Sequence, residues 1–361
     1  MNNPKPFVSI CTPTFNRRPF IPFIIKCFEN QDYPKDRIEW IIIDDGTDKV
    51  EDIFTNVPQV KYFKYNEKMS LGKKRNIANQ KSIGDFIIYM DDDDYYPPTR
   101  ISHAVEMLQN NPDKLCAGSS EMFLFFKHIQ KMYKFGPYGP NHATAATFAF
   151  RKELLTQTSF KDDVALAEEK IFLKNYTIPF VQLDTMKTIL VFSHIQNSFD
   201  KKILLKDLPT PFITESNKTV DDFIVNENER EIKHFFMEDI DALLNAYEPG
   251  NPNNKIDVMT QLDAIQKHRT QVANQQKQYM DILKKLNINP NDSLVQKNNQ
   301  TLINPEVKIN EMSMVINELL LENNLLKDKA NYFENKMKQL ISSQIEERKK
   351  IKFSEPLTLK V

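Results

Sequence analysis

Four aspartates in a row, Asp91, Asp92, Asp93 and Asp94, follow directly on the apolar run Phe86, Ile87, Ile88, Tyr89 and Met90. This junction constrains the chain more than any other stretch. The apolar run reads as a strand buried by its neighbours, and its end delivers four negative charges to one point. Unneutralised, those charges repel one another, so the stretch calls for a cation, and carboxylate oxygens suit Mg2+ or Mn2+. An EF-hand calcium loop is excluded by spacing. Counting from Asp91, the sixth position is Tyr96 rather than Gly and the twelfth is Ser102 rather than Glu.

The same design occurs twice upstream. Residues 7–11 (Phe, Val, Ser, Ile, Cys) form an apolar run that breaks at Thr12, Pro13, Thr14, Phe15 and Asn16. Residues 39–43, with Trp40 and three isoleucines, end at Asp44, Asp45 and Gly46. Apolar continuity without alternation suits parallel strands covered on both faces. Between and after these runs, residues 19–30, 71–80 and 100–109 carry helical spacing, with Leu71, Ile77 and Ala78 facing inward in the second helix. Strands alternating with helices predict an α/β sheet of mostly parallel strands. Ligands of such sheets bind outside the carboxyl ends of the strands, where all three polar clusters fall.

Composition narrows the function. Lys and Arg (48) balance Asp and Glu (49), so the net charge of −1 gives no field for nucleic acid or an acidic membrane surface. Three cysteines form neither an even framework nor a CxxC pair, which argues for a reducing compartment and against a zinc cluster. No stretch approaches a membrane span and no signal region follows Met1, so a soluble, cytoplasmic protein is expected. With 7 Gly in the chain, neither GxxxxGK[ST] nor GxGxxG occurs.

From residue 115 onward the pattern changes to strands expected at 115–126, 131–135, 147–150, 179–183 and 188–192, with a short helix at 167–173. A boundary is placed near Pro209 and Pro211. Beyond it the chain reads as helical. Residues 231–247 carry an apolar stripe, and Val258, Ile265, Val272, Tyr279 and Leu286 recur every seven residues. Residues 291–307 are an Asn- and Pro-rich linker. Residues 308–350 then hold five heptads with Asn323 at one core position, the pattern of a parallel coiled coil, and so predict a homo-oligomer. The domain scheme is 1–210 catalytic, 211–290 helical, 291–307 linker and 308–350 coiled coil.

Four motifs in order, residues 8–17, 40–46, Gly72 to Asn76 (GKKRN) and 91–94 with Pro98, resemble a family 2 glycosyltransferase of the GT-A fold. The resemblance covers residues 1 to about 205. It implies a Rossmann-like, mostly parallel sheet with a small antiparallel sheet, and a hexosyltransferase-type enzyme using a nucleotide-sugar donor, usually a UDP-sugar. The acceptor would be a hydroxyl on a glycan, a protein or a smaller molecule. Thr12, Pro13, Phe15 and Arg17 fall in the donor-binding loop, with Pro13 and Phe15 bordering base and ribose. Asp45 would bond the uracil edge, Arg75 the base or the diphosphate, and Asp91 or Asp92 the ribose. Asp93 and Asp94 would approach Mn2+ or Mg2+, with His194 completing the site or serving structure. Of the acidic pair Glu168 and Glu169, the second would be the general base for inversion, although the family usually has Asp there; Glu168, Asp162 and Asp163 are alternatives. A nucleotidyltransferase of related fold should open with a Gly-rich loop, which is missing here; an inactive scaffold assembled through the tail is the other alternative.

Overall fold

Seven buried residues, Val8–Thr14, form β1, and the sheet is laid down on both sides of it. In the computed structural model, residues 4–165, 168–206, 208–285 and 336 are described. The elements in chain order are β1 (Val8–Thr14), α1 (Ile21–Glu29), β2 (Ile38–Asp44), β3 (Val60–Lys64), α2 (Leu71–Lys81), β4 (Phe86–Tyr89), α3 (Arg100–Asn110), β5 (Cys116–Gly118), β6 (Met122–Phe126), β7 (Lys131–Phe135), β8 (Ala149–Arg151), α4 (Glu169–Phe172), β9 (Phe180–Gln182), β10 (Leu190–Ser193), β11 (Ile213–Ser216), α5 (Arg230–His234), α6 (Ile240–Asn245) and α7 (Ile256–Lys285).

The main sheet has seven strands in the order β3-β2-β1-β4-β8-β5-β9. Among the described residues β8 alone runs against the others. Residues alternate between two buried layers: Val8, Ile10, Trp40, Ile42 and Ile88 line one face, and Cys11, Ile41, Ile43, Ile87 and Tyr89 the other. From β1 the chain builds outward to β3, then returns to place β4 on β1's other side. That reversal opens a crevice outside the carboxyl ends of β1 and β4, the place where open α/β sheets bind ligands. β1 runs three residues past its expected end. Pro13 fits inside it because the neighbouring β4 has already ended at Tyr89, level with Cys11, so its missing N–H breaks no ladder bond there.

The second sheet has the order β10-β6-β7-β11 and is mixed rather than antiparallel. β10 lies parallel to β6 because the chain passes back through the main sheet as β8 and β9 before returning. The single strand expected at 115–126 is two strands in two sheets, divided at Ser119, Ser120 and Glu121. Past residue 210 the chain is not only helical, since β11 pairs with β7.

The chain falls into two compact units, Met1–Tyr279 and Met280–Val361. Residues 211–279 therefore belong with the sheets. The expected helix at 231–247 is α5 and α6 joined through a π-helical turn at Phe235–Asp239. The wider turn turns two adjacent rings inward: Phe235 stacks on Phe23 of α1 (centroids 3.7 Å) and Phe236 on Phe192 of β10 (4.1 Å). Of the first heptad series, Val258 is buried and Ile265 and Val272 are half-buried. In the second unit the described residues are the end of α7 and Lys336; the linker at 291–307 and the coiled coil at 308–350, apart from Lys336, lie outside the described residues. Among the described residues no helix is long and apolar enough to cross a membrane.

The acidic pair is tied to this core by Phe172, whose ring stacks on Phe160 (4.2 Å) and meets Phe150 (5.2 Å). Phe172→Ala should cost about 3–5 kcal/mol in urea unfolding. A loss below about 1 kcal/mol would show that α4 is held by something else.

Candidate active site

Each loop at the crevice has a local reason for its shape. After β1, Asn16 adopts a left-handed conformation (φ 53°) that turns the chain sharply. Its amide donates to the Pro249 carbonyl (2.8 Å) and its Oδ1 accepts from the Asp48 N–H (3.0 Å). Arg17 then points inward, 4% exposed, with Nη2 3.0 Å from Asp93, Nε 3.6 Å from Asp92 and Nη1 donating to the Gln196 carbonyl (2.8 Å).

α2 begins at Ser70, whose hydroxyl accepts the Lys73 N–H (3.3 Å). The inward face differs from the expected apolar one. Leu71 and Ile77 are half-buried, while Lys74, Arg75 and Asn79 are buried with Ala78. The helix thus aims two cations at the sheet edge. Gly72 allows the close approach behind them: a Cβ there would lie 2.1 Å from the Lys161 carbonyl oxygen. Arg75 Nε donates to Glu168 (2.8 Å), its Nη2 lies 3.4 Å from Asp91, and its guanidinium covers the Tyr89 ring (4.5 Å).

The four aspartates are unequal. Asp92 and Asp94 are each 7% exposed, and among the described residues Asp92 Oδ2 and Asp94 Oδ1 have no hydrogen-bond partner. Burial pushes the Asp92 carboxyl up to about 7 despite Arg17. Burial, and then the neighbouring Asp93 charge, pushes Asp94 well above the usual carboxylate range. Burial opposes the charge on Asp93 too, but Arg17 and His194 outweigh it and hold that carboxyl well below its usual range. His194 Nε2 lies 3.4 Å from Asp93 Oδ2 and 2.7 Å from Asn197 Nδ2, and burial lowers its ring to about 4.

By donor chemistry these residues fit a divalent ion. Two buried carboxylate oxygens are unpartnered, and Asp93 and His194 stand side by side. Their gathering is incomplete: among the described residues no three His, Cys, Asp or Glu side chains are grouped to hold an ion, and the Arg17 guanidinium supplies the positive charge at Asp93.

A cavity of about 140 Å³ brings much of this together. Pro13 and Phe15 form its apolar wall, Arg17, Lys68, Lys74 and Lys255 bring positive charge, and Asp91, Asp92 and Asp93 line the other side. Three expected donor residues do not line it, Arg75 among them, because its guanidinium is committed to Glu168 and Asp91. The Thr12 hydroxyl is fully buried, accepting from Trp40 Nε1 (2.9 Å) and donating to the Met90 carbonyl (2.6 Å), so it ties three strands together. Asp45 is buried with both oxygens engaged, by Lys74 Nζ (2.9 Å) and the Met69 N–H (2.6 Å). Lys74, not Asp45, faces the cavity, near the Phe15 ring (5.9 Å) with Lys68 at 5.0 Å. Glu168 is buried and committed to Arg75; Glu169, next along, is half-buried at the start of α4. Lys68, Lys74 and Lys255 carried no sequence signal beyond being lysines, apart from the place of Lys74 in the GKKRN motif.

The crevice at the sheet edge thus brings together an aromatic wall, converging cations and the acid run after β4. Residues 9–155, short of half of the chain, match the family model described as Glycosyl transferase family 2. It is similar to poly(ribitol-phosphate) beta-N-acetylglucosaminyltransferase TarS of Staphylococcus aureus, at 27% identity over 116 residues, which is 28% of this chain and 19% of TarS. It is 34% identical over 113 residues to an uncharacterized glycosyltransferase of Haemophilus influenzae, covering 29% of this chain and 44% of that one. A crystal structure of S. aureus TarS 1-349 in complex with UDP-GlcNAc aligns with 52% of this chain and 59% of its own length, at 20% identity and a TM-score of 0.41. The chain spans between about a fifth and a half of the length of these curated relatives.

Removing Arg75 leaves Glu168 and Asp91 without their shared cation. Arg75→Met should cost about 3–5 kcal/mol at pH 7.5. The sign with pH follows from Asp91, whose carboxyl burial already raises against the pull of Arg75. Without Arg75 it rises further, and an acid with a raised folded pKa loses stability as pH climbs from its unfolded value, near 4, toward the folded one. The deficit in urea unfolding should therefore be smaller at pH 5 than at pH 7.5; a deficit independent of pH contradicts the charge pairing.

Proposed function

We propose that this glycosyltransferase moves a sugar from a nucleotide-sugar donor, a UDP-sugar in our reading, to a hydroxyl on a glycan, a protein or a smaller acceptor, with inversion. The observation that carries this is the single cavity joining the Phe15 wall, the Arg17 and Lys74 cations and the acids Asp91, Asp92 and Asp93. A base and ribose lie against Pro13 and Phe15, and the diphosphate meets the cations. Asp45 acts indirectly, fixing Lys74. Arg75 holds Asp91 and Glu168 in place.

Asp93, Asp94 and His194 would hold Mn2+ or Mg2+. Such an ion, when bound, supplies Lewis-acid stabilisation to the charge that gathers on the departing diphosphate. Because Glu168 is committed to Arg75, we assign the general base to Glu169, which takes the proton of the acceptor hydroxyl as that oxygen attacks the anomeric carbon. Some of the curated relatives are named as transferases of N-acetylglucosamine or glucose, which supports a hexose-type donor here. The coiled-coil tail would make the enzyme a homo-oligomer.

The test is release of UDP or GDP from a panel of nucleotide sugars, with Mn2+ or with EDTA. One donor should turn over, and EDTA should suppress it. Glu169→Gln should lower transfer at least ~100-fold while UDP affinity stays within about twofold. No release from any donor would reject the transferase and favour the scaffold alternative; transfer retained in Glu169→Gln would remove that residue from the role.

A further inference from the structure

Lys255 lies outside the matched stretch 9–155, just before α7, yet its side chain is 7% exposed and lines the same cavity as Phe15 and Arg17. The loop that carries it is fastened from several sides. Asn16 donates to Pro249, and Gln196 Nε2 donates to the carbonyls of Leu244 (2.9 Å) and Tyr247 (2.7 Å). Gly250 sits so tightly on Gln196 that a Cβ there would lie 2.0 Å from its Oε1. On the far side Lys68 pairs with Asp257 across the cavity mouth.

The charge pairs around the cavity leave Lys255 out. Arg17 has Asp92 and Asp93, Lys74 has Asp45, and Arg75 has Asp91 and Glu168. The Lys255 ammonium donates to a neutral hydroxyl, Ser198 Oγ, at 2.6 Å, and among the described residues no carboxylate oxygen lies within 4.0 Å of it. Burial, and then the nearby Arg17 charge, pushes it well below the usual lysine range, with Asp93 and Asp92 opposing. A buried cation without a contact anion is costly to keep. In a cavity that already holds three partnered cations, it is also costly in mutual repulsion.

We propose that Lys255 is a donor-binding residue whose ammonium contacts the diphosphate of the nucleotide sugar. This rests on the nucleotide-sugar function proposed above. A diphosphate brings the negative charge that the protein withholds from Lys255, and the interaction is charge-assisted and screened from water. The loop 249–255 thus acts as the second half of the donor site, contributed from beyond the family 2 core.

The test uses the full chain with UDP and GDP as probes and uridine and guanosine as phosphate-free controls. Titration calorimetry is run with Mn2+ and again in EDTA, so that the effect is not read through the metal alone. For whichever diphosphate the wild type binds, Lys255→Met should weaken binding about 10- to 100-fold in both conditions and leave nucleoside binding unchanged. Lys255→Arg should recover most of the loss. The ligand-free melting temperature of Lys255→Met should equal or exceed that of the wild type, because an unpaired buried charge is removed. Binding of the diphosphate within twofold of wild type by Lys255→Met overturns the inference and leaves the transferase standing. So does equal weakening of diphosphate and nucleoside, or loss in both the Met and Arg variants, either of which marks a packing role. If the wild type binds neither diphosphate, the nucleotide-sugar function itself fails.

Discussion

Charge compensation around the acid run governs this molecule. Two of the four aspartates are nearly sealed from water and the other two are half-buried. Carboxylates so close together can stay ionised only where cations meet them. The two cations are Arg17, from the loop after β1, and Arg75, from α2; His194, at the end of β10, adds a polar contact to Asp93 with its ring lowered to about 4 by burial. Each arrives by a different route through the chain, and the strand order brings those routes to one edge. These groups bind β1, α2 and the second sheet to β4 while they shape a cavity suited to a charged ligand.

The compensation is incomplete in both directions. Among the described residues Asp92 and Asp94 keep oxygens without partners, and Lys255 keeps an ammonium without a carboxylate in contact. Under the function proposed above, a metal-bound diphosphate would supply what both sides lack. A metal would answer the carboxylates and the phosphates would answer the lysine. Stability is given up for binding, a trade that active sites commonly make.

Much of the framework was legible from residue pattern. The buried runs at β1, β2 and β4 read as strands because they are apolar without alternation. Their polar ends marked the binding edge because parallel sheets bind ligands there. What escaped the sequence was which partner each polar group takes. Thr12 looked like a donor contact, but its hydroxyl bridges Trp40 and Met90. Asp45 looked like a base-reading group, but its carboxylate holds Lys74. α2 was expected to bury an apolar stripe, and instead buries charge because the acid run lies opposite. Lys255 could not be found at all, since its place depends on a loop returning after more than half the chain. Pairings between residues far apart in sequence leave no local periodicity to read.

The most direct measurement is a crystal structure of the full chain with UDP and Mn2+. The nucleotide should lie between Phe15 and the acid run, with its diphosphate facing Arg17 or Lys74 and Lys255, and the metal at Asp93. Density for UDP elsewhere on the protein, with this cavity still closed by its own side chains, would contradict the assignment of the site.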